Sequence, residues 1–191
     1  MAKRADDIIL RDRLQFTLNG TGNLPVVYGR LDLSDYVSVV QEQGLNVKEI
    51  TYQLRKVGPG GNTCVFDPVL GTAVTSFASI QVFATTTAYE DANDVGIGSP
   101  NVLNNYTMTT TREGDPATGS FIWENQERFR GVYDLHPDGY TLVTDLLIGV
   151  ASDNCTKYNS ETIEIDIMMI AESRKITKTE LQDMLTQAQD L

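Results

Sequence analysis

The sequence predicts an all-β protein, a sandwich of two antiparallel sheets with about eight strands. Seven or eight short segments alternate apolar and polar residues with a period of two, which is the pattern of a half-buried strand. Turn-forming residues separate these segments. Helical segments do not alternate with the strand segments, as they would in a parallel sheet covered by helices.

The individual strands follow from this alternation and from the turns that bound it. The predicted strands are residues 14–18, 50–54, 76–87, 106–110, 121–123, 140–151 and 161–171. The segment 106–110 is favoured by its β-branched threonines, and 140–151 is the longest apolar candidate. Residues 91–100 and 112–119 are rich in Gly, Pro, Asn and Asp, which predicts two long surface loops.

Two short helices are predicted beside the strands. Ser34 is a suitable N-cap for an inserted helix that runs to Val40 and ends at Gly44. The second helix covers about residues 177–190 and begins at a capping box, Thr177-Lys-Thr-Glu180. Its apolar stripe consists of Leu181, Met184, Leu185 and Ala188.

This stripe supplies the candidate assembly contacts. A helix of about twelve residues is marginally stable alone in water, so its apolar side must lie against another surface. That surface is either the sandwich of the same chain or a neighbouring subunit, and the sequence does not decide between them.

Size and charge restrict the classes of function. The 191 residues are expected to form one domain, with 41% hydrophobic residues to supply its core. Fifteen Lys and Arg against 26 Asp and Glu give a net charge of −11, and no basic cluster is present, so direct nucleic-acid binding is not expected. The longest apolar runs are too short to span a membrane. The first seven residues carry acids where an export signal would be apolar.

The inventory of reactive residues is small, and neither catalysis nor a cofactor is expected. His136 is the only histidine, so neither a serine–histidine–acid triad nor a multi-histidine metal site is indicated. The segment from Asp91 to Gly96 has Val95 where a calcium loop needs an oxygen ligand. The acidic pairs Glu124–Glu127 and Glu161–Glu164 are expected on solvated faces rather than around a substrate.

Two cysteines, Cys64 and Cys155, lie far apart in the sequence and do not form a CxxC motif. We interpret them as buried free thiols of a protein in a reducing compartment. A single long-range disulfide is the alternative.

The organisation of the chain resembles the single jelly-roll capsid proteins of icosahedral viruses, especially those of archaeal and bacterial DNA viruses. The resemblance lies in four segments: the short excursion at residues 31–37 (LDLSDYV), the strand at 49–54 (EITYQL), the closing strand at 161–169 (ETIEIDIMM), and residues 173–178 (SRKITK) leading into the last helix. Many small jelly-roll coats have a basic amino-terminal arm, which this sequence lacks. The resemblance therefore implies a coat that surrounds a membrane or leaves genome contact to other components.

The function implied by this resemblance is a capsid subunit, made in the host cytoplasm and present in the virion. It would assemble with copies of itself into pentamers or hexamers, and with other virion proteins, through many weak contacts. The candidate contacts are the two predicted loops, residues 91–100 and 112–119, and the helix from Thr177 to Leu191. Two alternatives remain at this point: a ligand-binding or carbohydrate-binding sandwich, including a virion decoration protein, and an enzyme whose site is not recognisable.

Overall fold

The computed structural model describes residues 7–38, 40–56, 76–115 and 117–187 of the chain. These residues form nine strands and two α-helices. The strands are β1 (Ile8–Thr17), β2 (Leu24–Leu31), β3 (Gln43–Lys56), β4 (Ser76–Thr85), β5 (Val102–Asp115), β6 (Ser120–Arg130), β7 (Tyr140–Leu142), β8 (Leu146–Asp153) and β9 (Thr162–Lys175). The helices are α1 (Val132–Leu135) and α2 (Lys178–Gln187).

The strands form two antiparallel sheets with a nested pairing. One sheet has the order β1-β9-β3-β7 and the other β2-β8-β4-β5-β6. The first strand pairs with the last, β2 pairs with β8, β3 pairs with β7, and β4 pairs with β5. A long hairpin wound in this way is a jelly roll. The predicted all-β jelly-roll sandwich is therefore confirmed, with β6 as an additional strand at one edge.

The core lies between the sheets and follows from the alternation in the sequence. Every second residue of β9 from Ile163 to Ala171 is buried. In β3, a bulge after Val47 changes the phase of the alternation, so that both Val47 and Ile50 face the core. The side chain of Lys48, at this bulge, forms ion pairs with Asp7 at 2.7 Å and Glu172 at 2.8 Å.

The predicted strand at 140–151 is wrong in one respect, because the chain changes sheets inside it. Residues 140–142 belong to the four-stranded sheet and 146–153 to the five-stranded sheet. Asp145 fixes the crossing: its carboxylate accepts a hydrogen bond from the Leu33 backbone N–H at 2.9 Å and binds Arg30. These partners are more than 100 residues away, so the local pattern does not reveal the break.

The inserted helix predicted from Ser34 to Val40 is also wrong. The chain makes a turn at residues 34–36 and then a short bridge between Ser38 and Gln43. Asp32, rather than Ser34, accepts the hydrogen bond that opens the turn. Gly44 is part of β3, where it makes room for the Ile176 side chain. A helix nucleus this short and rich in β-branched residues has little intrinsic stability.

The carboxyl-terminal helix and its capping box are confirmed. The Glu180 backbone N–H donates to Thr177 Oγ1 at 3.3 Å, and the Thr177 backbone N–H donates to Glu180 Oε2 at 2.9 Å. The hydrogen bond from Thr177 lowers the pKa of the Glu180 carboxyl. The described part of the helix ends at Gln187.

Candidate assembly surfaces

The edge strand β6 is the most unusual surface in the described part of the chain. All eleven of its residues are exposed, on both faces of the strand. Among the described residues it pairs on one side only, with β5. Natural proteins usually shorten, twist or cover such edges, because an open edge can pair with another strand. A long edge left open is therefore a candidate interaction site.

One face of β6, here called its inner face, consists of the odd-numbered residues from Phe121 to Phe129. It lies on the core side of the sheet, because these residues pair with Met108, Thr110 and Arg112, which are buried in β5. Three aromatic side chains project from it, including Trp123, which is 45% exposed. The Arg112 guanidinium lies 3.8 Å from the Phe121 ring centre and 5.0 Å from the Trp123 ring.

The opposite, outer face of β6 carries a polar ladder of Glu124, Gln126 and Arg128. Gln126 Nε2 donates to Glu124 Oε1 at 2.7 Å, and Arg128 Nη2 donates to Gln126 Oε1 at 3.4 Å. Ile122 lies beside the ladder and is 72% exposed. The ladder therefore has an acidic end, a neutral amide at its centre and a basic end.

The predicted contact residues of α2 are only partly described. Leu181 is buried within the single chain, with 9% exposure, whereas Met184 is half-buried. The side chain of Leu185 and the whole of Ala188 lie outside the described residues. Ile176, just before the helix, is buried beside Gly44 and anchors this end of the chain to β3. The assembly role of all four stripe residues remains a prediction.

The two predicted loops differ in the structure. The predicted long loop at residues 112–119 is wrong in its first half: β5 continues to Asp115, and only residues 116–119 separate it from β6. Asp115 holds this short turn by accepting hydrogen bonds from Ala117 and Thr118. The segment 91–100 is a loop with one 3-10 turn, and Val95 packs in a small apolar cluster with Phe83.

The residues considered for catalysis have structural partners. His136 Nε2 lies 2.8 Å from the Val102 carbonyl oxygen, and its ring packs edge-on against Tyr140. Glu124 and Glu127 project from opposite faces of β6, because they are three positions apart and successive side chains of a strand alternate between its faces. No cluster of three or more His, Cys, Asp or Glu side chains arranged to hold a metal ion occurs among the described residues.

The second acidic pair, Glu161 and Glu164, forms ion pairs with basic side chains. Glu161 lies 3.4 Å from Lys56, and Glu164 lies 3.8 Å from Arg13. Arg13 also donates to Asp166 at 2.6 Å, and this contact lowers the pKa of the Asp166 carboxyl. Arg13 and Asp166 also line an open groove of about 650 Å³.

Cys155 is a buried free thiol, as predicted for it. Its sulfur donates to the Ser79 carbonyl oxygen at 3.4 Å, and burial raises the pKa of the thiol to about 12. Cys64 lies outside the described residues.

The sequence prediction missed the extent of β6. Only residues 121–123 were predicted as strand, because the charged and amide residues that follow do not alternate with apolar ones. One signal in the sequence could have revealed the hairpin: only four residues, 116–119, separate the segments that form β5 and β6. The last of them is Gly119, whose φ of +68° favours glycine.

Comparisons with known proteins add little to this description. The fold defines the class as a jelly-roll β-sandwich, and no protein-family model and no curated protein matches the chain. Among solved structures, the decameric BFDV capsid protein is similar at a TM-score of 0.33 and 12% sequence identity, over 89% of this chain and 98% of that chain. A likeness at this level is too low to establish a shared function. None of the described helices is long and apolar enough to cross a bilayer.

Proposed function

We propose that the chain is a structural subunit of a viral capsid that assembles with copies of itself into a closed shell and has no catalytic role. Jelly-roll sandwiches occur in viral capsid proteins and in lectins, so the winding of the strands supports the proposal without deciding it. The observation that carries it is the exposure of the edge strand β6. All eleven of its residues are exposed, and four of them have large apolar side chains: Phe121, Ile122, Trp123 and Phe129. A patch of this kind is typical of a surface that another protein covers.

The test is the size of the purified protein in solution. Because each copy carries a net charge of −11, repulsion between subunits should be screened before assembly is measured. We expect uniform closed particles by light scattering and negative-stain microscopy at 0.15–1 M salt, from about micromolar concentrations upward. A chain that stays monomeric across this whole range would overturn the proposal.

A second candidate, carbohydrate binding, is favoured by one observation. The rings of Phe121 and Trp123 are exposed side by side on the inner face of β6, and exposed aromatic rings can stack on sugars. A glycan array separates the two functions. Saturable binding to one class of sugar, lost in Trp123→Ala, by a protein that forms no particles would favour the second candidate.

A further inference from the structure

The open edge of β6 is complementary to itself. Two copies of β6 can lie side by side and antiparallel across a two-fold axis. A residue that lies a given number of positions before the axis in one copy then faces the residue that lies the same number of positions after it in the other copy. In β6, every second residue points its backbone N–H and C=O away from β5, towards the open side. In a regular antiparallel ladder such residues must lie opposite each other, so the two-fold axis must pass beside a residue and not between two residues. This restricts the pairing to a few registers.

Charge selects one of these registers. With Gln126 at the centre, Glu124 of one copy faces Arg128 of the other, and symmetry makes this contact twice. Centres at Glu124, Glu127 or Arg128 place like charges opposite each other on the axis. A centre at Asn125 pairs Glu124 with Gln126 and makes no directly opposed ion pair.

The same register also covers the aromatic rings. With Gln126 at the centre, Trp123 faces Phe129 of the other copy on the inner face, again twice, and aromatic cross-strand pairs stabilise antiparallel sheets. About nine residue pairs overlap, from Ile122 to Arg130, so the open backbone groups of most of the strand gain partners.

We propose that β6 pairs antiparallel with β6 of a second copy of this chain, in the register centred on Gln126, and joins the five-stranded sheets of two subunits. The inference rests on the proposed function, in which this pairing is one of the contacts of the shell. The partner at this edge is a second copy of the chain, because the polar ladder of Glu124, Gln126 and Arg128 is complementary in charge to the same ladder running in the opposite direction.

The experiment reverses the charges one at a time. In Glu124→Arg, residues 124 and 128 are both basic, and in Arg128→Glu both are acidic, so either variant places like charges at both symmetric contacts. We expect each variant alone to dimerise at least about tenfold more weakly than the parent in sedimentation velocity. Both positions are exposed, and far-UV circular dichroism checks that the variants fold.

Two further samples test the geometry of the contact. An equimolar mixture of the two variants restores both ion pairs and should form heterodimers with about the parental affinity. The double variant E124R/R128E has the parental composition and net charge, and it should recover self-association. If total charge governs association instead, Glu124→Arg, which makes the chain less acidic, will associate more strongly than the parent, and the proposed pairing is overturned.

The outcomes separate this inference from the proposed function. Parental shells that form equally well in both single variants would overturn the β6 pairing and leave the capsid role standing. If the two single variants form heterodimers with each other but the parent never forms closed particles, the pairing is supported and the capsid role is overturned. Parental protein that stays monomeric under all conditions would overturn both.

Discussion

Tyr52 and Asn104 connect the two sheets: the Tyr52 hydroxyl donates a hydrogen bond to Asn104 Oδ1 at 2.6 Å. The same oxygen accepts from the Ala84 backbone N–H at 3.1 Å, and Asn104 Nδ2 donates to the Ile50 carbonyl oxygen at 2.9 Å. Asn104 is fully buried, and its amide satisfies groups from β3 and β4 at once. Burial also raises the pKa of the Tyr52 hydroxyl, which therefore stays protonated and able to donate.

We expect Asn104→Leu to lower the free energy of unfolding by about 2–4 kcal/mol, because it leaves three buried polar groups without partners. Urea denaturation measures the change. Tyr52→Phe removes only one of these bonds and should cost about 1 kcal/mol. In the double variant the two effects should be less than additive; full additivity would show that the two residues are not coupled.

Gly149 provides the space for the Phe83 ring. A Cβ atom on Gly149 would overlap this ring, so Gly149→Ala should destabilise the protein by about 1–3 kcal/mol. Gly96→Ala is the matched control, because no atom lies within 4 Å of its Cβ position, and it should change stability by less than about 0.5 kcal/mol. Thermal melting compares the two, and equal melting temperatures would contradict the steric explanation. Phe83→Leu should relieve part of the strain of Gly149→Ala.

The half-buried Tyr106 and the buried Cys155 should cause a loss of stability at alkaline pH. Burial raises the pKa of Tyr106 to about 12, with a further increase from the nearby Glu127 carboxylate, and burial also raises the pKa of the Cys155 thiol to about 12. Both groups are neutral when protonated, so the unfolded chain releases their protons at lower pH than the folded chain does. Their contribution is complete below about pH 8.5 and is lost as the pH rises towards 12.

Melting temperatures between pH 8 and 11.5 test this dependence. Tyr106→Phe lacks one of the ionising groups and should show a shallower decline above pH 10 than the parent. Identical slopes for parent and variant would exclude Tyr106 as a cause.

The apolar stripe of α2 can be tested residue by residue. Leu181→Glu places a charge at a position buried within the single chain and should lower the melting temperature of the isolated subunit. Met184→Glu changes a half-buried position and should leave the subunit folded while weakening assembly. Melting curves and particle counts separate the two effects. Parental assembly by Met184→Glu would show that Met184 is not an assembly contact.

The sequence predicted the parts of the fold that depend on local alternation. The core faces of β4 and β9 bury every second residue, so a period-two pattern is enough to find them. It could not predict the break at Asp145, because the groups that hold this carboxylate, Arg30 and the backbone of Leu33, come from the first part of the chain. β2 was missed for a different, local reason: most of its residues are half-buried, and Pro25 and Gly29 interrupt the alternation.

The candidate site was the least predictable part. Sequence reasoning selected the apolar stripe of α2 and the two loop segments 91–100 and 112–119. The last of these contains the turn of the exposed hairpin, but the strand β6 itself was not selected. The features that distinguish β6 are its open edge and its exposure on both sides, and these depend on which strands lie beside it. Its self-complementary charges become apparent only once residues 120–130 are known to form one strand, in which Glu124, Gln126 and Arg128 share a face.

The nested winding has a consequence for synthesis on the ribosome. β9 lies between β1 and β3, so the four-stranded sheet lacks a central member until residues 162–175 have left the exit tunnel. Closing the sandwich then requires contacts across almost the whole length of the polypeptide, which slows folding. The β5–β6 hairpin is complete much earlier, so if β6 pairs as proposed, nascent chains on one polysome present this open edge to each other before their own cores have closed.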